Sequence, residues 1–124
     1  MKFHLDQRPG LNTFTGYGAG YVLVNQTRHE HNLVVLPEMI LDDWTKGGFD
    51  SLAAADFAPL LAQELEIVLL GTGSSIRFPR PELLRTLIEA RVGVEIMNTP
   101  AACRTYNILM GEGRKVAAAL LLVD

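Results

Sequence analysis

Gly71-Thr72-Gly73-Ser74-Ser75 follows the apolar run 67–70, which is where an α/β protein places a ligand-binding turn. Backbone N–H groups freed by such a turn can hold a phosphate or stabilise an oxyanion. The turn is not a dinucleotide fingerprint, because Ile76 stands where a third glycine is required and the next helix waits until Pro81. A Walker loop is excluded too, since no Gly-Lys-Ser/Thr run occurs. Cys103 lies in the first turns of a helix opening at Thr99-Pro100, where free N–H groups and the helix dipole favour a thiolate. A nucleophile there needs a base, and all three histidines, His4, His29 and His31, sit in the N-terminal half. Free cysteine is among the most buried residue types, so packing is the reading its chemistry favours. No catalytic set is complete.

If the strands at 67–70 and 94–97 are parallel neighbours, their C-terminal ends share one sheet edge. Gly71, Thr72 and Gly73 then meet Asn98, Thr99 and Cys103 in a candidate ligand crevice, with Arg77 or Arg104 offering charge to an anionic group. No cofactor is called for. His29-Glu30-His31 would put both imidazoles on one face of a strand, a spacing that chelates a divalent metal. No third ligand accompanies them, and Asp42-Asp43 would point to opposite faces, so no metal site is expected. Trp44 is expected to cap an edge of the core or to mark a contact surface.

The elements that must position these groups change character near Ser51. Before it, short β-rich segments at 3–5, 21–25, 31–36 and 40–44 are separated by Gly16-Tyr17-Gly18-Ala19-Gly20, Pro37 and Lys46-Gly47-Gly48, a pattern of antiparallel strands. After it, helices at 52–61, 81–91 and 100–110 alternate with strands at 66–70, 94–97 and 115–123, the mark of βαβ units. Pro81 and Pro100 suit the first turn of a helix, Thr99 suits an N-cap, and Gly111 or Gly113 can end the last helix. The expected fold is α/β: a mixed central sheet built from C-terminal βαβαβ units, helices on one side, and an additional N-terminal antiparallel β layer. Residues 1–124 are expected to form a single domain.

The helix at 100–110 has an unusually wide apolar face. Ala102, Tyr106, Leu109 and Met110 form its centre, Ala101 and Ile108 widen it, and only a narrow stripe containing Arg104 and Asn107 remains polar. Such a face is buried from several directions, by the domain itself, by a twin subunit or by another protein. Tyr106 and Met110 are therefore the candidate partner-binding residues.

Composition narrows the function classes. The 124 residues carry 11 Lys+Arg against 14 Asp+Glu, a net charge of −3, with no basic cluster. A phosphate backbone is therefore a poor partner, and no nucleic acid binding is expected. With Cys103 alone, no intrachain disulfide can form. The longest apolar run, 116–123, is far short of the roughly 18–20 residues that cross a bilayer, so no transmembrane segment is expected. Met1-Lys2-Phe3-His4-Leu5-Asp6 resembles neither a signal peptide nor a presequence, which predicts a cytoplasmic protein.

Several blocks carry a family resemblance. Val68-Leu69-Leu70-Gly71-Thr72-Gly73, Gly93-Val94-Glu95-Ile96-Met97, Ala101-Ala102-Cys103-Arg104-Thr105-Tyr106-Asn107-Ile108-Leu109 and Glu112-Gly113-Arg114-Lys115-Val116-Ala117-Ala118-Ala119-Leu120 resemble a small family of domains of unknown function. That family includes the mitochondrial respiratory complex I assembly factor three and an adipogenesis-associated human protein. The resemblance implies an α/β domain with a mixed sheet and an additional β layer. It further implies a non-catalytic role through a protein partner, and a free bacterial-type member. The expected function is thus a non-enzymatic protein-binding factor, assembly factor-like or regulatory, whose partner is a protein of unknown identity. The alternative is a small-molecule or anion-binding protein or enzyme that uses the crevice at Gly71–Gly73 and the Thr99–Cys103 helix start.

Overall fold

Apolar alternation and tight turns build two sheets. The computed structural model describes residues 10–123; the strand expected at 3–5, like His4, lies outside them. Strands β1 (Phe14–Gly18), β2 (Tyr21–Val24) and β3 (Thr27–His29) form an antiparallel sheet in that order. Strands β4 (Leu33–Leu36), β5 (Met39–Leu41), β6 (Ile67–Gly71), β7 (Gly93–Met97) and β8 (Val116–Leu120) form a five-stranded sheet in the order β5-β4-β8-β6-β7. In it β8, β6 and β7 run parallel, whereas β4 is antiparallel to β8 and β5. The N-terminal half is antiparallel, as its turns require, but it divides: β1–β3 form the additional layer and β4–β5 extend the central sheet.

The short strand β3 was not legible as a separate element. Asn25 and Gln26 connect it to β2 with φ of 50° and 71°, and Val24 pairs with Thr27 across them. Positive φ at both central residues is the hairpin turn that matches strand twist, formed here without glycine. The helix expected at 52–61 is broken into a 3₁₀ turn at Ala54–Phe57 and one α turn, α1 (Ala58–Leu61), and a separate 3₁₀ turn at Phe49–Ser51 precedes it. Pro59 has no N–H to continue a helix from Ala55, and the Asp56 carboxylate accepts the Ala53 N–H at 2.8 Å, starting a fresh turn.

Helices α2 (Pro81–Glu89) and α3 (Thr99–Gly111) follow β6 and β7. The expectation that helices lie on one side is corrected by where α3 sits. Leu60, Leu84 and Leu87 of α1 and α2 pack with Val34, Leu36, Val68, Leu70, Ala117 and Ala119 on one face. Ala102, Cys103, Tyr106 and Met110 of α3 pack with Leu33, Val35, Leu69, Val116, Ala118 and Leu120 on the other, together with Phe14, Val22 and Val24. The reason is handedness. The β6-α2-β7 crossover moves outward along the sheet and β7-α3-β8 moves back across β6, so two right-handed crossovers put their helices on opposite faces.

The ends of α2 and α3 use one bonding pattern with different residues. The N–H groups of Arg91 and Val92 donate to the carbonyls of Ile88 and Leu87, and those of Gly113 and Arg114 donate to Met110 and Leu109. Each turn needs a left-handed residue, filled by Gly113 at φ 83° and by Arg91 at φ 64°. Gly111, an alternative terminator by sequence, is the last helical residue instead.

Candidate functional site

The crevice begins where β6 and β7 end side by side, Gly71 opposite Met97. Their chains leave toward opposite faces, the arrangement at which open α/β sheets hold ligands. The Gly71–Gly73 turn fills much of that position with its own bonds. The Thr72 N–H donates to the Met97 carbonyl at 2.9 Å, and Thr72 Oγ1 donates to the Ser75 carbonyl at 2.8 Å while accepting the Arg77 N–H at 3.0 Å. Gly73 takes a φ of 96°, which turns its N–H onto Thr99 Oγ1 at 2.9 Å. Thr99 returns its own N–H to the Gly73 carbonyl at 2.8 Å and donates its hydroxyl to the Leu121 carbonyl at 2.8 Å.

This bonding corrects two sequence expectations. The Thr72 and Gly73 N–H groups, offered above as ligand donors, are satisfied within the fold. Thr99 is not the helix cap: Asn98 is, its side chain accepting the Ala101 N–H at 2.8 Å. Gly71 has a packing role. A Cβ there would stand 2.8 Å from Leu120 Cδ2 and 3.0 Å from the Thr99 Cα, so its absence lets α3 approach the sheet.

A cavity of about 350 Å³ remains beside this turn. Gly73, Ser74, Thr99 and Pro100 form one wall, the hairpin tip 17–20 forms another, and Leu121 and Leu122 complete it. Of the expected crevice residues, Gly73 and Thr99 line the cavity, and Arg104 reaches its rim by donating to the Tyr17 hydroxyl at 2.6 Å. The others lie elsewhere. Gly71 and Thr72 are buried beneath, Asn98 caps α3, and Arg77 turns away to Asp50 at 2.9 Å and to the Phe49 ring at 4.4 Å. Cys103 is fully buried in the core, and burial pushes its thiol up to about 12, with the Arg104 charge opposing weakly. A thiol so placed is mostly protonated and out of reach at neutral pH. In the sequence residues 17–20 carry no sign of this role, because nothing local shows which groove a hairpin tip will close.

A second, larger groove of about 510 Å³ opens at the other end of β6 and β8. Leu11, Leu36, Leu65 and Met110 contribute apolar lining, Met39 is 37% exposed at its edge, and Glu38, Glu64, Arg114 and Lys115 add charges of both signs. Met110, an expected partner residue, lines this groove although it is itself only 2% exposed. Tyr106, the other, is a core residue. Its hydroxyl donates to the Asn12 carbonyl at 3.0 Å, its ring meets Phe14 edge-on at 5.2 Å, and burial raises its pKa. The centre of the apolar face of α3 is covered from within, by β1, β2 and the central sheet, whereas Ile108 at its margin is 50% exposed. Asn107, read as part of a polar stripe, is buried as well.

The remaining sequence candidates are accounted for structurally. A charged cleft is lined by Arg28, His29, Glu30, His31, Asp42 and Asp43, with His29 Nδ1 3.1 Å from Asp42 Oδ1. Among the described residues no three such groups are arranged to hold a metal ion. Trp44 caps a core edge, packing edge-on against Phe57 and donating its indole N–H to the Asp56 carbonyl at 2.7 Å.

Residues 14–121, the span of both sheets and all three helices, match the family model described as "Protein of unknown function (DUF498/DUF598)". The chain belongs to this family. An uncharacterized family relative from Rhodobacter capsulatus is 39% identical over 113 residues, covering 90% of this chain and 86% of its own. The NADH dehydrogenase (ubiquinone) 1 alpha subcomplex assembly factor 3 of Bos taurus is 32% identical over 107 residues, covering 85% of this chain. The match spans 58% of that assembly factor's length. Among solved structures, a Bordetella parapertussis protein is 41% identical with a TM-score of 0.85, covering 93% of this chain and 98% of its own. The mixed α/β architecture described above is thus that of the DUF498/DUF598 family. No helix among the described residues is long and apolar enough to cross a membrane.

Proposed function

We propose that this family member is a non-enzymatic, cytoplasmic protein-binding factor of the assembly-factor kind. Its groove at Leu11, Leu36, Met39, Leu65 and Met110 holds an extended segment of a partner protein. The observation that carries this reading is the groove's composition: an apolar lining for the partner's side chains, with Glu38 and Glu64 against Arg114 and Lys115 to fix its direction. The likeness to assembly factor 3 of the respiratory NADH dehydrogenase supports the same class of role. The test is a photo-reactive side chain placed at Met39, with one at Ile88 on the far helix as control. The reading expects one abundant cross-linked species at position 39, lost when Gln63 is changed to Trp to fill the groove. Equal labelling at 39 and 88 would overturn it.

A second reading rests on the 350 Å³ cavity between the hairpin tip and the Gly73–Thr99 turn, with Arg104 at its rim. It is suited to a small anionic ligand held by Ser74, the hairpin backbone and the arginine. Thermal-shift measurements against phosphorylated metabolites test it: a stabilising ligand whose effect disappears in Arg104→Ala supports this use, and a flat screen opposes it.

A further inference from the structure

Between Gly71 and α2 the chain runs through Ile76-Arg77-Phe78-Pro79-Arg80 without regular structure. The base of this loop is fixed. Thr72 Oγ1 bonds the Ser75 carbonyl and the Arg77 N–H, and the Arg77 side chain is held by Asp50 and the Phe49 ring. Alternate residues point away from that anchor: Ile76 is 49% exposed, Phe78 is 73% exposed, and Arg80 is exposed beside them. Phe78 is the most exposed large apolar side chain among the described residues. Pro79 directly after Phe78 and Pro81 directly after Arg80 restrict the backbone there, which lowers the ordering needed to present these two side chains.

The surrounding segment is richer in positive than in negative side chains, although Arg77 is paired with Asp50. Residues 74–91 hold Arg77, Arg80, Arg85 and Arg91 against Glu82 and Glu89, in a chain whose net charge is −3. Among the described residues Arg80 and Arg85 make no ion pair. Residues 75–80 line none of the cavities described above, and Ile76 and Phe78 stand open to solvent. An exposed apolar tip next to unpaired arginines matches a surface that is apolar within and anionic at its boundary, and that needs no shaped pocket.

We propose that this loop docks the protein on an anionic lipid bilayer, with Phe78 and Ile76 entering the headgroup boundary and Arg80 and Arg85 meeting lipid phosphates. The loop leaves the opposite end of β6 from the Met39 groove, so membrane contact and partner binding occupy separate surfaces.

Sedimentation of the full chain with vesicles tests the proposal, using phosphatidylcholine alone and phosphatidylcholine with phosphatidylglycerol, at low and high salt. Binding is expected to the phosphatidylglycerol vesicles at low salt, weakened by added salt. It should fall about tenfold or more in Phe78→Ser and in Arg80→Glu, and persist in Phe78→Leu. Because both side chains are exposed, the variants should keep the parent melting temperature, which separates lost docking from lost folding. A parent chain that stays in solution with anionic vesicles at low salt overturns the proposal. So does a Phe78→Ser chain that sediments like the parent, or a photo-reactive group at position 78 that labels a protein and no lipid.

Discussion

The side-chain amide of Asn107 bonds both backbone groups of Phe14: its Oδ1 accepts the Phe14 N–H at 2.9 Å and its Nδ2 donates to the Phe14 carbonyl at 2.7 Å. Among the described residues β1 pairs with β2 alone, so at Phe14 its other edge would face the core with two unmet polar groups. The amide supplies the donor and acceptor that a neighbouring strand would have offered, and thereby fastens the three-stranded layer to α3.

Asn107→Ala should therefore destabilise the fold by about 2–4 kcal/mol, since two buried backbone groups lose their partners together. Asn107→Asp keeps an acceptor but loses the donor and buries an anion. Burial raises that carboxyl's folded pKa above its unfolded value, so the variant should recover stability relative to the parent as pH falls. Urea unfolding at several pH values measures both effects.

Thr99→Val is nearly isosteric but removes the hydroxyl shared by Gly73 and Leu121. A loss of about 2–3 kcal/mol is expected, with Thr99→Ser close to the parent. Gly71→Ala should also destabilise, because the added methyl meets Leu120 and the α3 backbone at 3.0 Å or less. Melting temperatures of the three variants separate hydrogen bonding from packing.

Cys103 should react with a thiol reagent only as fast as the protein opens. Its reaction rate in native buffer should follow the unfolding equilibrium as urea is added, not the thiolate fraction. With the folded thiol at about 12 against an ordinary value of 9.0, the folded state holds this proton more tightly. The thiol's contribution to stability is thus complete below pH 9 and declines as pH rises toward 12.

Arg91→Gly should stabilise the protein by about 0.5–1 kcal/mol, because it relieves a left-handed arginine while keeping the bonds that close α2. Gly113 already serves this purpose at the end of α3. The reciprocal change, Gly113→Ala, should destabilise, and paired denaturation curves compare the two ends directly.

Local signals made the second half of the chain legible. The apolar runs of β6 and β8, the alternation of β7, the prolines that open α2 and α3, and the glycine turn after β6 each declare themselves over a few residues. Relationships set at a distance did not. β3 is Thr27-Arg28-His29, a polar edge strand with no alternation to display, and its turn lacks glycine. The face chosen by α3 depends on β8 entering between β4 and β6, which no window of sequence records. At the crevice the glycines were visible, but not that Thr99 would satisfy them. Asn107 looked solvated because a lone amide on a helix usually is, and Tyr106 looked available because its cover comes from residues some ninety positions away.

The position of β8 has a further consequence for biosynthesis. All five of its residues are buried, and it pairs with β4 on one side and β6 on the other. Until Val116–Leu120 has left the ribosome, the central sheet exists only as two separate pieces, each with an open inner edge. The nascent chain must hold most of this sheet in abeyance and complete it by inserting the strand of the sheet that is made last, a step with long sequence separation and correspondingly slow closure. A chain cut short before Val116 would present two unprotected strand edges, so truncated products of this gene should be cleared or aggregate rather than accumulate as partly active fragments.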